Sequence, residues 1–205
     1  GIIGATGAGK STVAALLMRF YDVAEGDIYI EGENICAMPA GRLRERFGVV
    51  FQNDTIFEDS IAENVRMGRT LSEEAVREAV THAKAKEFVE EAGRGYDNLM
   101  NVRGANLSGG QKQRILIARA LAAHPDILIL DDSSSALDYR TDASLRHELA
   151  AHFADTTKLI IAQRISSIMH SDHIMVLEDG KIAGYGTHEE LLESCGVYRE
   201  IRDSQ

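Results

Sequence analysis

The sequence predicts an α/β fold, with a parallel-sheet core at residues 1–60 and 124–205 interrupted by a helical lobe at residues 61–123. Three observations predict it. Gly4-Ala5-Thr6-Gly7-Ala8-Gly9-Lys10-Ser11 follows an apolar stub, Ile2-Ile3, and precedes the helical run Thr12 to Phe20, which is the strand, loop and helix order of a phosphate-binding loop. Ile127-Leu128-Ile129-Leu130 and Lys158 to Ala162 are runs of the kind that parallel sheets bury on both faces. Between them and the first strands, the apolar residues recur at helical spacing.

The elements follow in order. Gly1-Ile2-Ile3 reads as the tail of a buried strand, and the sequence as part of a longer protein with at least some strands missing upstream. Gly26 to Gly32 has the turn signals and alternation of a short strand, and Phe47 to Phe51 reads as another, ending at Gln52. Ser72-Glu73-Glu74 opens a helix with a Ser-to-Glu capping signature and Ala75, Val76, Ala79 and Val80 on one face. Gly93 to Asp97 breaks the helical pattern. A further helix starts after Leu107-Ser108-Gly109-Gly110 and runs through Ile115, Ile117, Ala118 and Leu121 to a stop at His124-Pro125. A helix carrying Leu145 and Leu149 separates the two buried strands. His173 to Leu177, the turn Glu178-Asp179-Gly180 and Lys181 to Tyr185 suggest a β-hairpin. The last helix is Glu189 to Leu192, and Tyr21, Tyr198 and Ile201 are expected to be packing residues.

Composition narrows the function classes. A net charge of -10 over 205 residues argues against broad affinity for nucleic acid. No apolar run reaches the roughly twenty residues needed to span a bilayer, so any membrane connection is expected from another segment or chain. No basic-plus-apolar targeting stretch opens the sequence. Cys36 and Cys195 are too few and too distant for a disulfide framework, which points to a reducing, cytosolic compartment.

The phosphate loop implies a nucleoside triphosphate. Its glycines let successive backbone N–H groups turn onto phosphate oxygens, Lys10 brings a positive charge to the β- and γ-phosphates, and the Ser11 hydroxyl suits magnesium. Such a loop needs an acid at the end of a neighbouring strand. Asp131, immediately after four apolar positions, supplies one for the metal, and Asp132 stands one residue closer to the γ-phosphate.

Leu107-Ser108-Gly109-Gly110-Gln111-Lys112-Gln113-Arg114 resembles the signature motif of the ATP-binding cassette family. Gln52 matches that family's Q-loop, Asp131 its magnesium aspartate, and Ser135-Ala136-Leu137-Asp138 its D-loop. Asp179 to Leu192 resembles the exporter branch, which includes multidrug and lipid exporters. The resemblance covers essentially the whole chain, as one N-terminally truncated nucleotide-binding domain at 1–205. It implies a P-loop NTPase fold, a RecA-like core with an inserted α-helical signature subdomain.

It also implies the cofactors ATP and Mg2+. Gly4, Thr6, Gly7, Ala8, Gly9, Lys10, Ser11, Thr12, Gln52 and Asp131 would hold the nucleotide, with Ser11, Gln52 and Asp131 at the metal. Lys10, Gln52, Asp132 and Gln163 occupy the catalytic positions. Ser108, Gly109, Gly110 and Gln111 would touch ATP held by a second nucleotide-binding domain in a head-to-tail pair. The Q-loop and the helical lobe would meet coupling helices of transmembrane domains at the cytoplasmic face of a bacterial inner membrane. The aromatic that stacks on the base lies upstream in exporters, and the choice of cargo belongs to the transmembrane half.

The chain departs from the family at three places. The residue after the magnesium aspartate is a glutamate in hydrolysing members, but here it is Asp132, one methylene shorter. The histidine that ends the next strand is replaced by Gln163, which donates a hydrogen bond but cannot shuttle a proton. Val102 stands where exporters commonly carry an acid. The pattern resembles the degenerate-site subunit of a heterodimeric bacterial multidrug exporter, with an intact signature serving its partner. The alternatives are a homodimeric exporter in which Asp132 is a sufficient base, and a non-transport cassette acting on ribosomes or DNA repair complexes.

Overall fold

The computed structural model describes residues 1–133 and 135–205. Its strands are β1 (Ile2–Gly4), β2 (Tyr29–Ile30), β3 (Glu33–Asn34), β4 (Phe47–Val50), β5 (Ile127–Asp131), β6 (Thr157–Ile161), β7 (Ile174–Glu178) and β8 (Lys181–Gly186). Its helices are α1 (Lys10–Leu17), α2 (Ala40–Glu45), α3 (Ile61–Arg66), α4 (Glu73–His82), α5 (Lys86–Glu91), α6 (Gly109–Leu121), α7 (Tyr139–His152), α8 (His188–Ser194) and α9 (Gly196–Asp203). The chain divides into two compact units, Gly1–Arg46 with Ile129–Asp132 and Leu159–Gln205, and Phe47–Leu128 with Ser133–Lys158.

In the first unit the strands lie in the order β5-β6-β1-β7-β8. β1 pairs in parallel with β6, Ile2 opposite Ile161, and with β7, Ile2 to Gly4 opposite Met175 to Leu177. Both flanks of β1 are therefore filled by strands from late in the chain. β7 and β8 form the expected antiparallel hairpin. Ile3, Ile174, Val176, Leu191 and Tyr198 share a buried cluster, which fixes the strand that delivers the phosphate loop. Burial of side chains of this size from water is the main force holding such a strand in register.

The second unit is mostly helical. α6 is buried from Ile115 to Leu121, so seven consecutive positions are shielded where a surface helix would show a stripe. β4 neighbours β5, whose first residues, Ile127 and Leu128, belong to this unit. A Cβ at Gly48 would stand 2.3 Å from the Ala120 carbonyl oxygen, so the strand touches α6 backbone to backbone and only glycine fits.

Several local expectations change. The Gly26 to Gly32 strand shrinks to Tyr29–Ile30, paired with Glu33–Asn34 in a separate two-stranded ribbon. Ser72 caps α4 by accepting from the Ala75 N–H, but the reciprocal acid is absent because the third helical position is Ala75. Complete capping boxes occur instead at Ser108 with Gln111 and at Thr187 with Glu190. The last helix is two, broken at Cys195, whose extended backbone ends α8 and starts α9. Tyr198 and Ile201 pack as expected, and the Tyr198 hydroxyl lies 2.8 Å from His188 Nδ1. Tyr21 does not pack; it is 70% exposed. No helix among the described residues is long and apolar enough to cross a membrane.

Candidate functional site

The first unit builds a phosphate cradle from its backbone. A Cβ at Gly4 would meet the Leu177 carbonyl oxygen at 2.1 Å, so β1 leaves the sheet in contact with β7 and only glycine fits there. Gly7 and Gly9 have φ of 85° and 98°, left-handed values that L side chains resist. Gly9 caps α1 without a side-chain hydrogen bond, and the first turn of α1 carries no acid. The N–H groups and positive end of the helix are thus left for an anion. Ala5, Thr6, Gly7, Ser11 and Thr12 are exposed, while Gly4 and Ala8 are buried.

Lys10 folds back over the loop. Its Nζ donates to the Gly4 and Ala5 carbonyls at 2.8 and 2.9 Å. Burial lowers its affinity for a proton, and Asp131 and Asp132 partly restore it. The Ser11 hydroxyl donates to Asp131 Oδ2 at 2.6 Å. Asp131 is buried, 4% exposed, at the end of β5. A hydroxyl and a buried carboxylate brought to this distance form a hard-oxygen pair of the type magnesium takes alongside phosphate oxygens and water. The donor set therefore fits the metal.

Asp132 turns out of the sheet with φ 52°, and its N–H donates to the Ile161 carbonyl at 2.8 Å. Its carboxyl accepts from Gln163 Nε2 at 3.1 Å. Two of the three positions at which the chain departs from the family it resembles therefore touch each other. Burial raises the Asp132 carboxyl above the ordinary carboxylate range, Asp131 adds to the rise, and Arg164 and Lys10 oppose it. Gln205 holds the Gln163 segment from the far end of the chain, donating to the Gln163 carbonyl at 2.7 Å and accepting from the Ile165 N–H at 2.9 Å.

The remaining sequence-derived candidates lie in the second unit. Ser108 caps α6 in a capping box: its Oγ accepts from the Gln111 N–H at 3.2 Å, and Gln111 Oε1 accepts from the Ser108 N–H at 2.9 Å. The Gln111 side chain is thus used to set the helix start. A Cβ at Gly110 would lie 3.2 Å from the Ala136 carbonyl oxygen, and one at Gly109 3.6 Å from Ala136 Cβ, so the signature glycines rest on the Ser135 to Asp138 segment. Asp138 caps α7 through Thr141 N–H at 3.0 Å and Thr141 Oγ1 at 2.7 Å, contacts that hold its carboxyl below the ordinary range. Gln52 is exposed, two residues beyond β4. Val102 is also exposed, 61%.

Two residues that sequence reasoning passes over organise this unit. Arg119, 6% exposed near the end of α6, donates to the Asn64 carbonyl at 2.8 Å, to Asn64 Oδ1 at 3.2 Å and to the Thr55 carbonyl at 3.0 Å. Asn64 in turn accepts from the Phe57 N–H at 2.8 Å and donates back to the Phe57 carbonyl at 3.0 Å. The segment after Gln52 is thereby tied to the helix that carries the signature. An arginine inside an otherwise apolar helical run, Ile115 to Leu121, is the signal that points to such a hub.

Comparison with known proteins places this geometry. A family model described as ABC transporter matches residues 1–135. A provisionally named multidrug export ATP-binding/permease protein of Staphylococcus aureus strain NCTC 8325 is 43% identical over 204 residues, covering 99% of this chain and 35% of the relative. A counterpart from the bovine strain RF122 matches to the same extent. A solved bacterial Atm1-family ABC exporter with ATP bound superposes with a TM-score of 0.93 at 42% identity, over 98% of this chain and 35% of that one. The chain thus spans about a third of the length of these relatives. The phosphate loop, the acid pair at the end of β5 and the signature at the start of α6 are accounted for together: the chain belongs to the ABC transporter family and is an ATP-binding domain of the exporter type.

Proposed function

We propose that this domain drives substrate export by ATP-dependent closure onto a second nucleotide-binding domain, and that it is the degenerate-site half of a heterodimer. In this reading Gly4 to Thr12 hold the phosphates, Ser11, Gln52 and Asp131 hold magnesium, and Lys10 meets the β- and γ-phosphates. Magnesium supplies charge neutralisation on the transferring phosphoryl group. The lobe at 61–123 meets the coupling helices of transmembrane domains, at the cytoplasmic face of a bacterial inner membrane. Ser108 to Gln111 complete the partner's ATP site, and nucleic acid has no part.

The observation that carries the reading is the Gln163 to Asp132 hydrogen bond at 3.1 Å. Both residues replace the expected proton-handling pair, and they are bound to each other. The Asp132 carboxyl sits on a side chain shorter than glutamate by about 1.5 Å. A base must reach its water to within about 3 Å, and a misplacement of about 1 Å costs roughly a hundredfold in rate. Gln163 orients the carboxyl but carries no proton onward.

A second reading has its own support. The raised Asp132 carboxyl is a shift in the direction a general base needs, which favours a homodimer hydrolysing slowly with Asp132. Native mass spectrometry of the complete gene product, purified with what it binds, separates the two. A stable assembly with a non-identical nucleotide-binding chain is expected, whereas a homodimer overturns the degenerate-half reading.

A further inference from the structure

We propose that the second unit holds a binding site for one divalent transition-metal ion of the zinc class, built by His82, Glu148 and His152. His82 ends α4, while Glu148 and His152 stand four residues apart on α7. Glu148 Oε1 lies 2.9 Å from His82 Nδ1 and 3.4 Å from His152 Nε2. One ligand atom from each of the three lies within 4.8 Å of the others. The donors of a tetrahedral zinc ion, with bonds of about 2.0–2.2 Å, stand roughly 3.4 Å apart, so the three need only small rotations to converge.

The chemistry of His82 argues for a cation. Its Nδ1 faces Glu148 Oε1 and its Nε2 faces Glu78 Oε1 at 3.5 Å. A carboxylate on each side of the ring calls for positive charge there, which a second ring proton or a metal ion on Nδ1 would each supply. The convergence of Glu148 and His152 on the Nδ1 side is what favours the metal. The ion takes the Nδ1 lone pair, and the Nε2–H is donated to Glu78, the carboxylate and histidine arrangement that orients metal-bound imidazoles.

The surroundings support the same assignment. The side chains of His82 and Glu148 are only 12% and 13% exposed, so the pair is held in place, while His152 at 54% leaves an entry path from solvent. The His82 and His152 rings are 4.7 Å apart, and Phe153 packs edge-on against His82 at 5.3 Å. Lys84 binds Glu148 Oε2, which turns Oε1 toward the imidazoles. Its charge weakens the site without blocking it, because the ammonium occupies the other oxygen. His124, whose Nε2 is 3.9 Å from Glu78 Oε2, adds to the hold on Glu78. The bound ion would clip α4 to α7, with none of Lys10, Ser11 or Asp131 among its ligands.

The test is equilibrium dialysis of the complete gene product against Zn2+ at neutral pH, with excess Mg2+ present and no nucleotide. One Zn2+ per chain is expected, with a rise in the thermal midpoint on binding. His152→Asn, at an exposed position that tolerates the change, should weaken uptake at least tenfold and remove the midpoint rise. Glu78→Gln should weaken it about tenfold by loosening His82, with the ligands themselves intact. Absence of uptake overturns the proposal, as does affinity unchanged in His152→Asn. Uptake that survives both variants and disappears with Cys36→Ser is capture by the exposed thiol, and it overturns the proposal too.

Discussion

The phosphate-loop region and the start of α6 both carry motifs that the proposed function sets against ATP phosphates, yet they are held by different means. At the loop the backbone does the shaping, through left-handed Gly7 and Gly9, and the side chains carry the chemistry: Lys10, Ser11, Asp131, Asp132 and Gln163. At the signature the side chains of Ser108 and Gln111 do the shaping, and the motif itself brings no acid or imidazole. In the proposed reading, the region that supplies shape stays intact while the region that would also transfer a proton differs by one methylene and one ring. Binding and turnover are then separable, and each variant acts on one side of that division.

The largest effect is expected at the signature. Ser108→Arg places bulk and charge where the proposed assembly would seat the partner's nucleotide and removes the cap, and steady-state ATPase of the reconstituted assembly should fall on the order of a hundredfold. Loss of the cap alone costs about 1 kcal/mol of stability, so Ser108→Ala, which keeps the site open, should fold slightly less stably and retain far more activity. Asp132→Ala in the same assay should leave most of the hydrolysis in place. If Asp132→Ala is the more damaging, the domain is a hydrolysing half and the homodimer reading replaces the other.

Lys10→Ala comes next. Loss of a charged donor to the phosphates is worth about 1.5–3 kcal/mol, so nucleotide affinity measured by titration with the partner's site disabled should fall roughly ten- to a hundredfold. The same substitution frees the Gly4 and Ala5 carbonyls that Lys10 holds, so part of the loss is disorder in the loop itself. Unchanged affinity would remove the phosphate loop from the binding site.

How much of this was legible follows from the same contrast. The loop, the acids after β5 and the start of α6 are written in contiguous residues, since each depends on local backbone geometry and on a side chain within a few positions. Their contacts are not. Arg119 reaches Asn64 and Thr55, more than fifty residues away, and Gln205 clamps Gln163 from the end of the chain. A single sequence carries no signal of such pairings beyond the oddity of a charge in an apolar run. The break between α8 and α9 has no clear sequence signal because neither Cys195 nor Gly196 is a decisive stop, and the exposure of Tyr21 is not legible because its hydrophobicity says nothing of the surface on which it stands.

A smaller effect sharpens the turnover side. Asp132→Glu restores the longer acid, and Gln163→His restores a ring that can move a proton. Each alone should raise single-turnover hydrolysis at this site a fewfold, with the partner's base removed. Because the two side chains touch, the double variant should exceed the product of the single increases. No gain in the double variant would locate the slow step outside this pair.

The smallest effect is one of stability, and its sign follows from the Asp132 carboxyl. Burial and Asp131 raise that group above its ordinary value near 3.8. A carboxyl raised in the folded state contributes stability while it is protonated, below the ordinary value, and the contribution is lost as pH rises through the folded value. At neutral pH Asp132 is therefore a charge held where the fold prefers a neutral group, the sort of cost that sites for chemistry retain. Asp132→Asn removes the charge, keeps an oxygen for the Gln163 amide, and suits the left-handed backbone, since asparagine tolerates φ near 52°. Solvent that reaches the group screens the effect, so the nucleotide-free protein should melt only about 1–2 °C higher at pH 8. The gain should shrink as the pH is lowered, because wild-type Asp132 takes up its proton at a higher pH than an ordinary aspartate. A lower midpoint at pH 8, or a gain that grows on acidification, would mean that the ionised carboxyl is favoured by its neighbours and that the upward shift assigned to it is wrong.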